Sequence, residues 1–199
     1  MNKTVIACTG GIGSGKSAVV EAFSALGIPA YDCDSRTKSL YSSDQSLAGK
    51  VAALLGPEVL REDGSLDTAA MAQKLFADRG LMQSLEAIVH PAVGADFCRW
   101  AQEQSSDIVV MESAILLEKP FFDNFADYII TVSAPEEVRI QRVMRRNGLT
   151  REQVAARMAA QWSDSRREAV SDMVIRTDDR QAILPQILEL IDRLKQKSV

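Results

Sequence analysis

Cysteine is scarce in this chain of 199 residues. Cys8, Cys33 and Cys98 are odd in number, sit in apolar or turn settings and show no C-x-x-C spacing; this argues against a disulfide framework and gives no sign of zinc or redox chemistry. A basic excess is also missing: 23 Lys and Arg stand against 27 Asp and Glu, a net charge of -4. That balance lacks the electrostatic footprint of a protein that binds nucleic acid or an anionic membrane, and it favours small soluble partners. No apolar run approaches the roughly 18 residues of a membrane span. The opening strand leads straight into a glycine-rich loop with no signal-like segment before it, so the expected compartment is the cytoplasm. Histidine occurs once, at His90. Trp100, Trp162 and the methionines read as packing. The length suits one substantial α/β domain with room for a small inserted lobe.

The strongest positive signal is Gly10-Gly11-Ile12-Gly13-Ser14-Gly15-Lys16-Ser17, a complete G-x-x-x-x-G-K-[ST] loop directly after the apolar run Thr4–Cys8. The strand delivers the loop, the glycines let successive backbone N–H groups turn inward, and the helix that follows aims its N-terminus at a bound anion. In such a loop Lys16 reaches the β- and γ-phosphates of a nucleotide, and the Ser17 hydroxyl ligates Mg²⁺.

Downstream, Val19, Val20, Phe23 and Leu26 recur at helical spacing and Gly27 supplies a stop. Ile28–Tyr31 reads as a short second strand ending in Asp32-Cys33-Asp34. Residues 35–104 change character: turn signals at Gly56-Pro57 and Asp63-Gly64 separate segments with helix-spaced apolar residues, and we expect roughly four helices. His90, in Ile-Val-His-Pro, is expected at the C-terminal end of one of them. Asp107–Met111 and Tyr128–Val132 are short continuous apolar runs, the mark of buried parallel strands. A helix follows over Glu136–Arg146, a break at Asn147-Gly148, a polar helix from Thr150, a last strand over Met173–Thr177 and a closing amphipathic helix over Ala182–Leu194. This alternation predicts a P-loop NTPase-type α/β fold with a doubly wound, mostly parallel five-stranded sheet. The expected core comprises 1–34, 105–146 and 169–199, with a helical substrate lobe about 35–104 and a helical lid about 147–168.

Phosphoryl transfer asks the protein to align the partners, neutralise the γ-phosphate and orient the attacking oxygen. Asp32 or Asp34 can accept a proton from an incoming hydroxyl or help place the metal; capping of the next helix is the plainer role for such a pair. Arginines crowd the region between the fourth and fifth strands, and Arg139, Arg142 and Arg146 share one helical face. A solvated face is the plain reading of each one singly, a lid over nucleotide the reading of the group. Arg142, Arg145 and Arg146 are the foremost candidates for phosphate contact.

Taken together, these segments resemble the dephospho-coenzyme A kinase family. The resemblance rests on Thr9–Ser17, on Asp32-Cys33-Asp34 for the family's Asp-Ala-Asp, and on His90-Pro91 for its Leu-His-Pro. It extends to Ile115-Leu116-Leu117-Glu118 for its Pro-Leu-Leu-x-Glu, and to Arg142–Gln161 for an arginine-rich stretch ending in Ala-x-Gln. It implies transfer of the ATP γ-phosphate to the ribose 3′-hydroxyl of dephospho-CoA, with Mg²⁺, in a three-part architecture of core, CoA-binding lobe and lid. It implies Asp34 as general base, Asp32 as a helper in metal or substrate placement, and His90, Leu116, Leu117 and Glu118 on the CoA side. A monomer or weak homo-oligomer is expected. The chain departs from the family pattern where Cys33 replaces alanine, where Ala114 stands in place of proline before Ile115, and where Arg176-Thr177-Asp178 replaces the usual asparagine after the last strand. Two other readings stay open: a P-loop kinase for a nucleoside or sugar, and a nucleotide-dependent switch. The switch would need N-K-x-D and D-x-x-G segments, and neither is found.

Overall fold

The fold is built on a central strand whose neighbours on either side come from later parts of the chain. In the computed structural model, which describes residues 3–78, 80–118, 125–178 and 180–197, the five strands are β1 (Thr4–Thr9), β2 (Ala30–Asp32), β3 (Ile108–Glu112), β4 (Tyr128–Ser133) and β5 (Met173–Arg176). They lie in the order β2-β3-β1-β4-β5. β1 pairs in parallel with β3 in the register Ile6 to Val110 and with β4 in the register Cys8 to Ile130, and β4 pairs in parallel with β5. On the other edge Val110 N–H donates to Pro29 C=O at 2.9 Å, just before β2. The path leaves β1 for β2 in one direction and β3 for β4 in the other. The carboxyl end of β1 is therefore the switch point at which open α/β sheets bind ligands.

The chain divides into two compact units. One joins the segment up to Tyr31 with everything from Gln104 onward; the other is Asp32–Glu103. In the first, α1 (Lys16–Ala25) and α9 (Ile183–Lys197) pack against one another, and their apolar residues join those of the sheet in one core: Val19, Phe23, Ile187 and Leu190 meet Ile6, Val110, Ile130, Val132 and Ile175, nearly all fully buried. The strands read as continuous apolar runs because both of their faces are covered, Val5 and Ala7 being as inaccessible as Ile6. After β4 come α6 (Glu136–Asn147), α7 (Arg151–Ala159) and α8 (Asp164–Ala169). α6 carries Glu136 and Glu137 in its first turn and Arg145 and Arg146 in its last, which suits the helix dipole, and ends at Gly148 in the left-handed conformation. α7 starts with a reciprocal capping box between Thr150 and Gln153. Ile140, Val143 and Val154 form a second small core there, with Ile12, Leu149 and Met158 packed against it.

The second unit contains α2 (Cys33–Ser43), α3 (Gln45–Leu55), α4 (Thr68–Ala77) and α5 (Gly80–Glu103). Asp32, Asp44 and Asp67 accept backbone N–H groups at the starts of α2, α3 and α4. Leu47, Val51, Leu55, Val89, Val93 and Phe97 are buried. Asp96 is buried as well, and its two carboxylate oxygens take Arg36 at 2.7 Å and Arg99 at 2.7 Å. The four helices match the expected number, with one difference. His90-Pro91 does not close a helix; it lies inside the 24-residue α5. Proline removes one helical hydrogen bond, and here the packing on either side carries the helix through.

Phe23 is fully buried in the core of the first unit. Phe23→Ala should lower unfolding free energy by about 3–5 kcal/mol, read as a reduced urea midpoint at constant m-value.

Candidate active site

The loop after β1 is shaped by what surrounds it. Gly13 (φ 78°) and Gly15 (φ 95°) occupy the left-handed region, where side chains are disfavoured. A Cβ at Gly13 would also come within 2.6 Å of the Arg139 carbonyl oxygen, and one at Gly15 within 2.9 Å of Thr177 Oγ1. Gly15 is the N-cap of α1, no side chain caps that end, and the first turn holds no acidic residue. The free N–H groups and the positive end of the helix dipole are therefore available to an anion. Two hydroxyls at this end of the sheet, Thr9 Oγ1 and Ser14 Oγ, are buried with no hydrogen-bond partner among the described residues.

Lys16 folds back onto this loop. Its Nζ donates to Gly10 C=O at 2.9 Å and lies 3.7 Å from Glu112 Oε1. Glu112 is the last residue of β3 and faces Cys8 across the β1–β3 register. Burial, reinforced by the Glu112 charge and opposed by Lys16, pushes the Cys8 thiol up to about 12. Cys8 is accordingly inert packing, with no nucleophilic role.

The α6–α8 segment and Thr177 hold the loop from outside. Arg139, nearly buried, donates from Nε to Ile12 C=O at 3.0 Å and pairs with Asp164. Gln161 Oε1 accepts the Ile12 N–H at 2.9 Å. Thr177 Oγ1 donates to Ser14 C=O, and Arg142 donates to Thr177 Oγ1 at 3.0 Å and to Thr177 C=O at 2.6 Å. Behind this layer the fully buried Arg167 pairs with Glu118 at 2.9 Å and donates to Trp162 C=O, while Trp162 N–H donates to Glu118 at 3.0 Å. Burial lowers the Arg167 pKa, and the Glu118 and Asp164 carboxylates oppose that shift.

The residues singled out from the sequence fall in both units. Gly10, Gly11, Ile12, Gly13, Ser14, Gly15, Lys16 and Ser17 form the loop and its helix start. Of the three arginines singled out on α6, Arg142 reaches Thr177, Arg146 bonds the neighbouring Asn147 side chain at 3.0 Å, and Arg145 is exposed on the last turn. Leu116, Leu117 and Glu118 form a short 3-10 turn, with Leu116 buried and Glu118 engaged by Arg167. In the other unit, Asp32 uses one carboxylate oxygen for the N–H groups of Asp34 (2.9 Å) and Ser35 (3.1 Å) and the other for the Ser35 hydroxyl (2.6 Å). Asp34 is exposed, and nothing among the described residues engages its carboxylate. His90 is half-buried within α5.

Sequence reasoning passed over Glu112, Arg139, Gln161 and Thr177 as site residues. Glu112 was legible as the acid closing a buried strand, and Arg139 as part of the arginine face. Gln161 was named only as the end of the Ala-x-Gln stretch and Thr177 only as part of a departure from the family pattern, and their partners lie 149 and 163 residues away.

A parallel sheet wound in both directions from β1, with a glycine loop and a lysine at the start of an uncapped helix, defines the class: a P-loop kinase fold. The family model for dephospho-CoA kinase matches residues 4–182. A dephospho-CoA kinase of Bacteroides fragilis is 38% identical over 96% of this chain and 93% of its own length. Among solved structures, a Thermus thermophilus protein superposes with a TM-score of 0.82 at 30% identity, covering 95% of this chain and 96% of its own. A dephospho-CoA kinase from Campylobacter jejuni shares the fold, with a TM-score of 0.70 at 19% identity over 99% of this chain and 100% of its own. The chain belongs to the dephospho-CoA kinase family.

The shifted thiol gives a pH test. The ordinary value is 9.0 and the folded value about 12, so above pH 9 the unfolded chain loses a proton that the native state keeps. Cys8 then erodes stability by about 1.4 kcal/mol per pH unit between pH 9 and 12. Thermal melts from pH 8.5 to 10.5 should show Tm falling faster for the wild type than for Cys8→Ala.

Proposed function

We propose that this chain transfers the γ-phosphate of ATP to the ribose 3′-hydroxyl of dephospho-CoA, the final step in making coenzyme A. The observation that carries the reading is the uncapped, acid-free start of α1 behind the glycine loop, with Lys16 beside it, in a chain of this family. In the transfer, the 3′-oxygen attacks the γ-phosphorus and the bond to the β–γ bridging oxygen breaks. ADP departs, and the hydroxyl proton passes to Asp34 and then to water.

Asp34 suits the role of base because its carboxylate is uncommitted, whereas both oxygens of Asp32 serve the start of α2. Asp32 then acts by fixing the turn that presents Asp34. Lys16, released from Gly10 C=O when phosphate enters, neutralises the β- and γ-phosphates. Arg142, Arg145 and Arg146 approach the same phosphates from α6, with the segment 147–168 as a lid. Residues 35–104 form the lobe that receives CoA, with His90, Leu116, Leu117 and Glu118 contributing on the acceptor side. Mg²⁺ fits the donor chemistry: the Ser17 hydroxyl at the start of α1 is a hard oxygen ligand that would hold it beside the phosphates. When bound, the ion neutralises charge on the transferring group. We place the enzyme in the cytoplasm as a monomer or weak homo-oligomer. Among the described residues no helix is long and apolar enough to cross a membrane.

Purified protein given Mg-ATP should turn over dephospho-CoA with a kcat/KM far above that for nucleosides or sugars; preference for either of those acceptors would overturn the assignment. Lys16→Ala should lower kcat by about 10²–10³-fold, the cost of losing one charge-stabilising donor, with circular dichroism unchanged. Asp34→Asn should lower kcat by about 10²–10⁴-fold with ATP affinity retained, the signature of a lost general base. A larger loss in Asp32→Asn than in Asp34→Asn would exchange the two roles.

A further inference from the structure

Ile12 is the one bulky residue among the glycines of the phosphate loop, and its three handles are all held from one side. Its side chain packs against the small core of Ile140, Val143 and Val154. Its C=O accepts Arg139, and its N–H donates to Gln161 Oε1. We propose that Gln161 is a positioning residue for the nucleotide: it fixes the Gly11–Ile12 peptide so that the loop keeps its phosphate-binding shape while empty.

The argument starts from flexibility. Gly10, Gly11 and Gly13 flank Ile12, and glycines alone do not fix a peptide plane, since each can reach both signs of φ at little cost. The Gly11–Ile12 plane is held at both ends, its C=O by Ser14 N–H at 3.1 Å and its N–H by Gln161, while Arg139 holds the next plane through Ile12 C=O. The Ile12 N–H requires an acceptor, which assigns the carboxamide oxygen of Gln161 to it. The backbone that carries it is anchored. Gln161 N–H donates to Met158 C=O at 3.1 Å, and the next residue, Trp162, is held through its N–H by Glu118 and through its C=O by Arg167. The Arg166 guanidinium covers the Trp162 ring at 3.5 Å. Gln161 therefore joins the loop to the junction of α7 and α8, and the Ile12 N–H is withheld from phosphate while the start of α1 stays open to it. Loss of this bond leaves a peptide that must be ordered when ATP binds, so the cost falls on nucleotide affinity and spares the acceptor.

The inference rests on the reading of residues 10–17 as an ATP-binding loop, and wild-type Mg-ATP binding tests that reading separately. Gln161→Met keeps the length and apolar stem but removes the acceptor; Gln161→Asn keeps the amide but falls short by one methylene. Titration calorimetry with Mg²⁺ and a non-hydrolysable ATP analogue should give a Kd raised about tenfold in both variants, the size of one lost hydrogen bond to a partly buried amide. The KM for dephospho-CoA should stay within about twofold. If Gln161→Met does not fold, Gln161→Asn carries the test. An unchanged Kd in the folded variants, or equal losses for nucleotide and acceptor, overturns the proposal while wild-type transfer leaves the function standing. A wild type that binds no Mg-ATP removes the reading beneath both.

Discussion

The structure turns on a loop that cannot hold its own shape. A phosphate cradle needs several backbone N–H groups pointed at one place, and close approach of the ligand requires residues without side chains. The glycines that permit this also make the empty loop floppy. The chain meets the conflict by fixing the loop through its neighbours: Arg139 and Gln161 take the two ends of Ile12, Thr177 takes Ser14 C=O, and Lys16 closes on Gly10 C=O. The spacing of the loop glycines follows from these contacts, since added side chains at Gly11 and Gly13 would strike Arg139.

Those fixing groups need support of their own, and the support is charged. Arg139 and Arg167 are both nearly or fully buried, with Asp164 near both and Glu118 on Arg167. Arg167 Nε has no partner among the described residues. Removal of one member of such a network leaves an uncompensated charge, which costs more than the intact pair contributes. The network acts as a frame that gives Ile12 and Trp162 single positions. Placing such a frame beneath the α6–α8 segment links the order of that segment to the order of the phosphate loop.

The sheet and the glycine loop that follows its central strand were legible from the sequence. Buried parallel strands leave continuous apolar runs, and Asp107–Met111 and Tyr128–Val132 fall within two residues of β3 and β4. The glycine loop declares itself because its chemistry depends on residue type at fixed local spacing. Pro91 was misleading, because the rule that proline ends a helix is local and the burial of Val89, Val93 and Phe97 along α5 overrides it. The acid pair was half legible: spacing alone left Asp32 and Asp34 equivalent and the resemblance singled out Asp34, while the fold adds that Asp32 caps α2 and the Asp34 carboxylate is uncommitted among the described residues. The residues Glu118, Arg139 and Gln161 were visible in the sequence, but the partners through which they and Arg167 act were not, since those lie tens to more than a hundred residues away.

A donor loop facing the ribose 3′-hydroxyl of dephospho-CoA leaves its mark in the position of the new phosphate, read by phosphorus NMR on the product of wild-type protein, Mg-ATP and dephospho-CoA. The expected products are one equivalent of ADP and a new phosphomonoester coupled to the ribose H3′ proton. A phosphate on any other atom, or ADP with only inorganic phosphate beside it, would overturn this assignment of donor and acceptor.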